Sequence, residues 1–230
     1  MCFSAKISLL SFVYISLLSL YVIRRGGTND KWLGTFFLFV AFIQLFEAFI
    51  WISLNKNLES FNYFNTVLLY ILIGCEPLIL TASSLQSNEK RVDNSVVYIL
   101  MGINFIFLTI WLFYIPTEIT RPNKCKETNC RLLWPWKTPS IILWLWFILL
   151  LVPILYLKPT LYQLLTFIYI FASYLFAYTY FKQTTNSIFC WISIIGITMV
   201  LLLGAGEESV ASETKRSVSS ETKHIKRNEA

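Results

Sequence analysis

Charged side chains are scarce in this chain. Of 230 residues only 14% are charged, while 56% are hydrophobic, and the mean hydropathy is +0.61. Soluble domains are about one quarter charged. The composition therefore predicts a single membrane domain rather than a soluble domain with a membrane anchor.

Histidine is almost absent, and this excludes several kinds of chemistry. The single residue, His224, lies in the polar tail, which excludes intramembrane metal hydrolysis by histidines and a Ser–His triad. There is no Gly-rich phosphate loop with its Lys, and the last hydrophobic segment has no Lys for a retinal Schiff base. The sequence predicts no catalytic residue, cofactor or metal site, and an enzyme is the least favoured class.

Basic residues outnumber acidic ones, 19 to 13, and the formal net charge is +6. The cations flank hydrophobic segments and form no basic helix with interleaved aromatic residues. They therefore indicate membrane topology and headgroup contacts, not nucleic-acid binding. Trp134 and Trp136, just before the fifth hydrophobic segment, predict interfacial anchors, and a binding role is the alternative.

Long apolar runs make up most of the chain. A transmembrane helix needs about 20 mostly apolar residues, and seven segments qualify. We predict an all-α integral membrane bundle of about seven transmembrane helices over residues 1–204. A disordered polar tail follows over residues 205–230, because that segment cannot bury enough apolar surface to fold alone. The predicted spans are residues 7–23, 32–54, 64–84, 96–115, 141–157, 161–181 and 188–203.

The orientation follows from the cations around the first span, which is too long for a signal peptide and has no cleavage site after it. Lys6 precedes it, and Arg24, Arg25 and Lys31 follow it. The positive-inside rule then places the N-terminus outside and the C-terminus in the cytosol. The basic loop between the fourth and fifth spans argues against this orientation. In the predicted orientation the cytosolic tail is a candidate docking segment for a protein partner.

The five cysteines fall into two groups. Cys75 and Cys190 lie within spans and are predicted to be small packing residues. Cys125 and Cys130 lie in the polar fourth loop, and Cys2 shares their side of the membrane in the predicted topology. In an oxidising compartment, a local disulfide and a bridge from Cys2 to either loop cysteine are both open alternatives.

Two acidic residues stand out inside the spans. Glu47 lies near the middle of the second span and Glu76 lies in the third, while no other span holds an acid and none has a basic residue in its interior. A charged acid at the bilayer centre costs a few kcal/mol on insertion scales, and burial favours the neutral carboxyl group. Each acid is therefore expected to be protonated, hydrogen-bonded or facing a water-filled cavity.

Helical spacing groups further polar residues with each acid, and both groups are expected to point into the bundle. Pro77 directly follows the second acid. A proline lacks the N–H that would bond the carbonyl of Ile73 one turn earlier, and such a kink can open backbone oxygens to an ion. The candidate site residues are Gln44, Glu47 and Trp51 in the second span and Asn65, Glu76 and Ser83 in the third.

Two functions from different classes fit these features. The first is a transporter-like or channel-like protein in which Glu47 and Glu76 form a protonatable site for protons or small cations. The alternative is a non-catalytic scaffold or receptor-like protein. In that case the glutamates form a structural polar knot, a hydrogen-bonded cluster with Gln44 and Asn65. The exterior cysteine loop and the cytosolic tail then bind partner proteins.

Residues 1–5 read Met-Cys-Phe-Ser-Ala, and the second span contains Gln-x-x-Glu-x-x-x-Trp at Gln44, Glu47 and Trp51. Together they resemble a set of small multi-pass membrane proteins that begin the same way and occur in giant DNA viruses and bacteria. That group has no established activity, so the resemblance implies no substrate and no catalytic residue. It implies a role for Cys2, since a small second residue permits removal of Met1. A viral source is compatible with it, and in that case the location is a host or virion membrane.

Overall fold

The structure is a computed structural model that describes residues 4–87, 92–122, 132–158, 160–180 and 195–199. The described part is almost entirely helical, as predicted. Short 3-10 turns follow α3 and α5 at Ser84–Gln86 and Val152–Tyr156, and β1 (Arg121–Pro122) pairs antiparallel with β2 (Leu132–Leu133). The helices are α1 (Ala5–Arg25), α2 (Asp30–Asn55), α3 (Glu59–Ser83), α4 (Asn94–Leu112), α5 (Ser140–Leu151) and α6 (Thr160–Tyr180).

Four helices, α1 to α4, are long and apolar enough to cross a membrane, which is consistent with membrane insertion. Shorter apolar helical stretches follow at Ser140–Tyr156 and Gln163–Phe176. The seventh predicted span is described only at residues 195–199, which are helical, and the tail lies outside the described residues. About 56% of the apolar window of α2 and of α3 is buried, against 28% for α1 and α4, so α2 and α3 form the centre of the bundle.

Small residues let α1 and α2 pack closely. The buried face of α1 carries Ser8, Ser11 and Ser19. Opposite it lies Gly34 of α2, where an added Cβ would approach the carbonyl oxygen of Ser19 to 3.1 Å. Small residues at a helix interface allow this close approach of two backbones in a membrane.

A buried ion pair fixes the turn between α1 and α2. Arg25 donates from Nη2 to Oδ1 of Asp30 at 2.6 Å, and both side chains are almost fully buried. The N–H of Gly27 also donates to Asp30 Oδ2 at 2.8 Å. Gly26 ends α1 in the left-handed region at φ 79°, which glycine adopts without strain. Arg25, which the sequence indicates as a topogenic cation, therefore also stabilises the turn between α1 and α2.

Three neighbouring helices bind α3 by the same interaction. In each case a tryptophan indole N–H donates to a backbone carbonyl oxygen of α3. Such a bond is valuable inside a membrane, because no water is present to satisfy either group. The bonds run from Trp32 of α2 to Leu80 (2.8 Å), from Trp111 of α4 to Tyr70 (3.0 Å) and from Trp146 of α5 to Ile73 (2.8 Å).

The contact between α3 and α4 depends on Gly74. A Cβ at this position would overlap the indole ring of Trp111, so the ring can lie against the α3 backbone only because residue 74 has no side chain. Tyr70 stacks on the same indole with a centroid distance of 4.8 Å. Its hydroxyl donates to the carbonyl of Trp111 at 2.9 Å. Tyr70 and Trp111 therefore exchange two hydrogen bonds across the interface.

The described parts of the connection between α4 and α5, residues 113–122 and 132–139, pack against the end of the bundle. Asn62 of α3 donates from Nδ2 to the carbonyl of Thr120 at 3.0 Å and accepts from its N–H at 3.1 Å. Trp136 packs edge-on against Tyr70 with a centroid distance of 5.1 Å. Trp134 and Trp136, predicted as interfacial anchors, are half-buried here and pack on each other.

An exposed ion pair joins the two described parts of this connection. Lys137 donates to Glu118 at 2.9 Å. The hydrogen bond and the positive charge of Lys137 together lower the pKa of the Glu118 carboxyl below its usual range. Exposed pairs of this kind contribute little to stability.

We expect Gly74→Ala to lower the free energy of unfolding by about 1–3 kcal/mol, because the new methyl group must displace Trp111 from α3. Gly102→Ala on α4 is the matched control, since a Cβ there meets no atom within 4 Å. Alanine at that exposed helical site should stabilise by up to about 1 kcal/mol. Reversible unfolding in detergent measures both variants, and equal effects would contradict the close contact.

Candidate functional site

All six candidate residues on α2 and α3 are buried. Glu47 is 0% exposed and Glu76 is 4% exposed. Both helices thus direct their only mid-span acid into the bundle rather than towards lipid. The other four candidates are equally enclosed, with exposures of 1% for Gln44, 7% for Trp51, 1% for Asn65 and 3% for Ser83.

The two glutamates lie at different depths. Trp32 of α2 donates a hydrogen bond to the carbonyl of Leu80 of α3, so these two residues lie at about the same height in the bundle. Because the two helices are antiparallel, other residues at equal height have numbers that also add to about 112 (32 + 80). Glu47 is then level with Asn65. Glu76 lies 11 residues further along α3 (76 − 65), which is roughly 16 Å at 1.5 Å per residue. The acids therefore occupy two places in the bundle and not one shared site.

The residues expected to bond the acids do not do so. Asn65 donates from Nδ2 to the carbonyl of Phe61 in its own helix at 2.6 Å. Gln44 Nε2 has no hydrogen-bond partner among the described residues, and neither does the indole Nε1 of Trp51. Both of these nitrogen atoms are buried. The face of α2 around Glu47 thus carries two hydrogen-bond donors that its neighbours do not satisfy.

The carbonyl that Pro77 frees is already occupied. Pro77 provides no N–H to the carbonyl of Ile73, and the indole Nε1 of Trp146 donates to that oxygen at 2.8 Å. The sequence predicts the freed acceptor but not its donor, because Trp146 lies 73 residues further along the chain. The kink therefore binds a neighbouring helix, and the oxygen is not open to an ion.

The backbone carbonyls in the turn after Pro77 also accept hydrogen bonds from side chains. Thr81 donates from Oγ1 to the carbonyl of Pro77 at 2.7 Å, and Asn104 of α4 donates to Thr81 Oγ1 at 2.8 Å. Ser83 donates to the carbonyl of Leu80 at 3.0 Å, so its hydroxyl serves its own helix. These contacts fix the backbone on the C-terminal side of Glu76.

Glu76 differs from these polar neighbours. No hydrogen bond joins its carboxyl group to another described residue, although the side chain is 4% exposed. The adjacent Cys75 is a free thiol and is partly buried. Glu76 is consequently a carboxyl group that is enclosed by the bundle and left without a partner within its described part.

A pocket of about 100 Å³ lies at the turn between α2 and α3. It is at the end of the bundle nearer to Glu47, and it contains both polar and apolar side chains. Its lining residues are Ser53, Leu54, Asn57, Leu58, Glu59, Asn62 and Ile119.

The remaining candidates lie outside the described residues. These are Cys2, Cys125 and Cys130, so their disulfide alternatives stay predictions. Within the described part of the chain, no group of three or more His, Cys, Asp or Glu side chains could hold a metal ion. No family model, no curated protein and no solved structure matches the chain, and the resemblance carried by residues 1–5 and the second span likewise stays a prediction.

The bond between Trp146 and Ile73 can be tested together with its cause. Trp146→Phe should lower the free energy of unfolding by about 1–3 kcal/mol, because a buried carbonyl loses its donor. In a Pro77→Ala background the new N–H can bond the same carbonyl, so the cost of Trp146→Phe should fall to less than half. A double-mutant cycle measures this coupling, and strictly additive effects would contradict the assignment.

Proposed function

We propose that this chain is a transporter-like or channel-like membrane protein in which Glu47 and Glu76 are two separate protonatable stations. The observation that carries the proposal is the state of Glu76, which is enclosed by the bundle and has no hydrogen-bond partner among the described residues. Leaving a buried polar group unsatisfied costs about 1–3 kcal/mol, and more for a charged one. Intramembrane acids that are kept at such a cost typically mark ion or proton pathways.

The depths of the two acids support passage across the bundle. Glu47 lies eight residues before the end of α2 at Asn55, and Glu76 lies seven before the end of α3 at Ser83. These ends are on opposite sides, so each acid is about 10–12 Å from its own end of the bundle. A proton could therefore reach each acid from a different side of the membrane.

An apolar layer separates the two acids. Between their levels the buried residues of α2 and α3 are mainly apolar, such as Val40, Ile43, Leu69 and Ile73. The buried hydroxyls of Thr66 and Tyr70 in this layer are held by hydrogen bonds to Asn62 and to the carbonyl of Trp111. Such a layer resists the free passage of ions, because a bare charge in a low-dielectric medium is strongly disfavoured. Passage between the stations would then depend on a conformational change or on transient hydration, and both are compatible with a transporter-like or channel-like protein.

Protons fit the two stations better than metal cations do. Hard cations take about six or more oxygen ligands. Near Glu76 the carbonyls of Ile73, Pro77 and Leu80 already accept hydrogen bonds from side chains. A proton needs only the carboxyl group itself.

The scaffold alternative receives less support from the described residues. A structural knot needs Gln44 and Asn65 bonded to the acids, whereas Asn65 bonds its own helix and the Nε2 of Gln44 bonds no described residue. The cysteine loop and the tail, on which a partner-binding role depends, lie outside the described residues.

We further propose seven spans with the N-terminus outside and the C-terminus in the cytosol. The cations Arg24 and Lys31 after the first span support this orientation, although Arg25 is paired with Asp30. With this topology, a tag on the tail of the intact protein should resist protease added to intact cells and become sensitive after permeabilisation. Cleavage in intact cells would reverse the orientation.

Proton flux tests the proposed function. Parent protein in liposomes with a trapped pH-sensitive dye should respond to an imposed pH gradient, and Glu47→Gln and Glu76→Gln should each lower the flux by about tenfold or more. Amide side chains keep the shape of the acid but cannot titrate. Glu118→Gln, which removes an exposed acid in the loop, is the matched control and should leave the flux unchanged.

The same variants distinguish a functional acid from a structural one. Thermal unfolding in detergent is measured for each. If both intramembrane variants carry protons like the parent, the proposal fails. If they unfold at lower temperature and the flux per folded protein is unchanged, the acids are structural.

A further inference from the structure

Two buried hydrogen-bond donors flank Glu47. Gln44 and Trp51 are 1% and 7% exposed, and neither Gln44 Nε2 nor Trp51 Nε1 bonds any described residue. They lie three residues before and four residues after Glu47, so all three side chains share one face of α2. Buried N–H groups almost always have an acceptor, and this face therefore needs one on each side of the acid.

The donors restrict what this face can bind. An indole N–H can only donate a hydrogen bond, so Trp51 cannot ligate a cation. A single small ligand does not serve both donors, since residues 44 and 51 are about 10 Å apart along the helix. Ordered water satisfies buried polar groups of this kind, and several molecules in a row can span this distance.

A third polar group comes from α1. Gly34 of α2 lies against Ser19 and Ile23 of α1. Because the two helices are antiparallel, residues at the same height in the bundle have numbers that add to about 55. Ser8 is then level with Glu47. Ser8 is 0% exposed, and its Oγ has no partner among the described residues.

The polar row leads to the pocket at the α2–α3 turn. Leu54, which lines that pocket, is three residues beyond Trp51 and on the same face of α2 as Glu47. In the opposite direction the face continues with the apolar residues Val40 and Phe37. The ring of Phe37 packs against Gly196, where an added Cβ would lie 3.1 Å from it. The row therefore runs towards the pocket at one end and meets apolar side chains beyond Gln44 at the other.

We infer that the face of α2 formed by Gln44, Glu47 and Trp51 binds a short file of water molecules that carries protons between Glu47 and the pocket at the α2–α3 turn. This inference rests on the proposed function and names protons, not metal cations, as the species that reaches Glu47. A hydronium ion in the pocket passes a proton to the next water. Each water in turn releases one of its own, and the last proton forms an O–H bond on the Glu47 carboxylate.

Glu47 is the group suited to receive that proton. Of the titratable residues of α1 and α3 near its level, Lys6, Glu59 and Tyr63 are exposed, and the buried Tyr70 donates its hydroxyl to the carbonyl of Trp111. In the described part of the bundle, Glu47 is the buried carboxyl group at this depth. Trp51 and Gln44 act as positioning residues, since they hold water and do not themselves change protonation.

Water-edited solid-state NMR on protein labelled with ¹⁵N-tryptophan tests the file without relying on transport. In bilayers, magnetisation should pass from water to the Nε1–H of Trp51, whose signal is assigned by its loss in Trp51→Phe. The indoles of Trp32 and Trp111, which donate to carbonyls of α3, are internal controls and should receive little. Transfer to Trp51 no greater than to these controls would overturn the inference.

Proton flux then separates this inference from the proposed function. Trp51→Phe and Gln44→Leu should lower the flux by about tenfold, while Trp144→Phe on α5 should not. If Glu47→Gln abolishes flux but both of these variants keep it, the proposed function stands and the water file is overturned. If the parent carries no protons, the proposed function fails, and a hydrated Trp51 then shows a water site with no role in proton transfer.

Discussion

The hydrogen bonds from tryptophan indoles to the backbone of α3 are the constraint on which the rest of this bundle depends. Inside a membrane no water competes for either group, so a well-placed donor and a carbonyl oxygen stay paired. Trp32, Trp111 and Trp146 come from α2, α4 and α5, and each fixes the height of its helix against α3. Because Trp32 sets the register of α2, it also sets the separation between Glu47 and Glu76.

The backbone of α3 supplies acceptors through the special features of its sequence. Pro77 leaves the carbonyl of Ile73 without its helical donor, and Trp146 takes that place. Gly74 removes the side chain that would keep Trp111 away. The indole hydrogen bonds to backbone carbonyls of α3 thus hold this helix against its neighbours near Glu76. The carboxyl group of Glu76 itself receives no hydrogen bond from a described residue.

Sequence patterns correctly predicted the helical character, the apolar spans of the first four helices and the freed carbonyl at Ile73. They did not predict which donor would occupy it, since the partner of Trp146 depends on how α5 packs against α3 and not on its neighbours in the chain. The same reason explains why the contact between Trp136 and Tyr70 was not predicted. The position of Trp136 just before a span predicts an interfacial anchor and does not indicate which ring it packs against. The separation of the acids was in principle predictable by counting residues from the α2–α3 turn.

Two separate acids, rather than one coupled pair, are the central claim of this account. Infrared spectroscopy of the protein in lipid bilayers detects the C=O stretch of protonated carboxyl groups and tests that claim most directly. Two bands should be present, and Glu47→Gln and Glu76→Gln should each remove one band and leave the other at its frequency. If either substitution removed or shifted both bands, the two carboxyl groups would be in contact, and the assignment of two depths would be wrong.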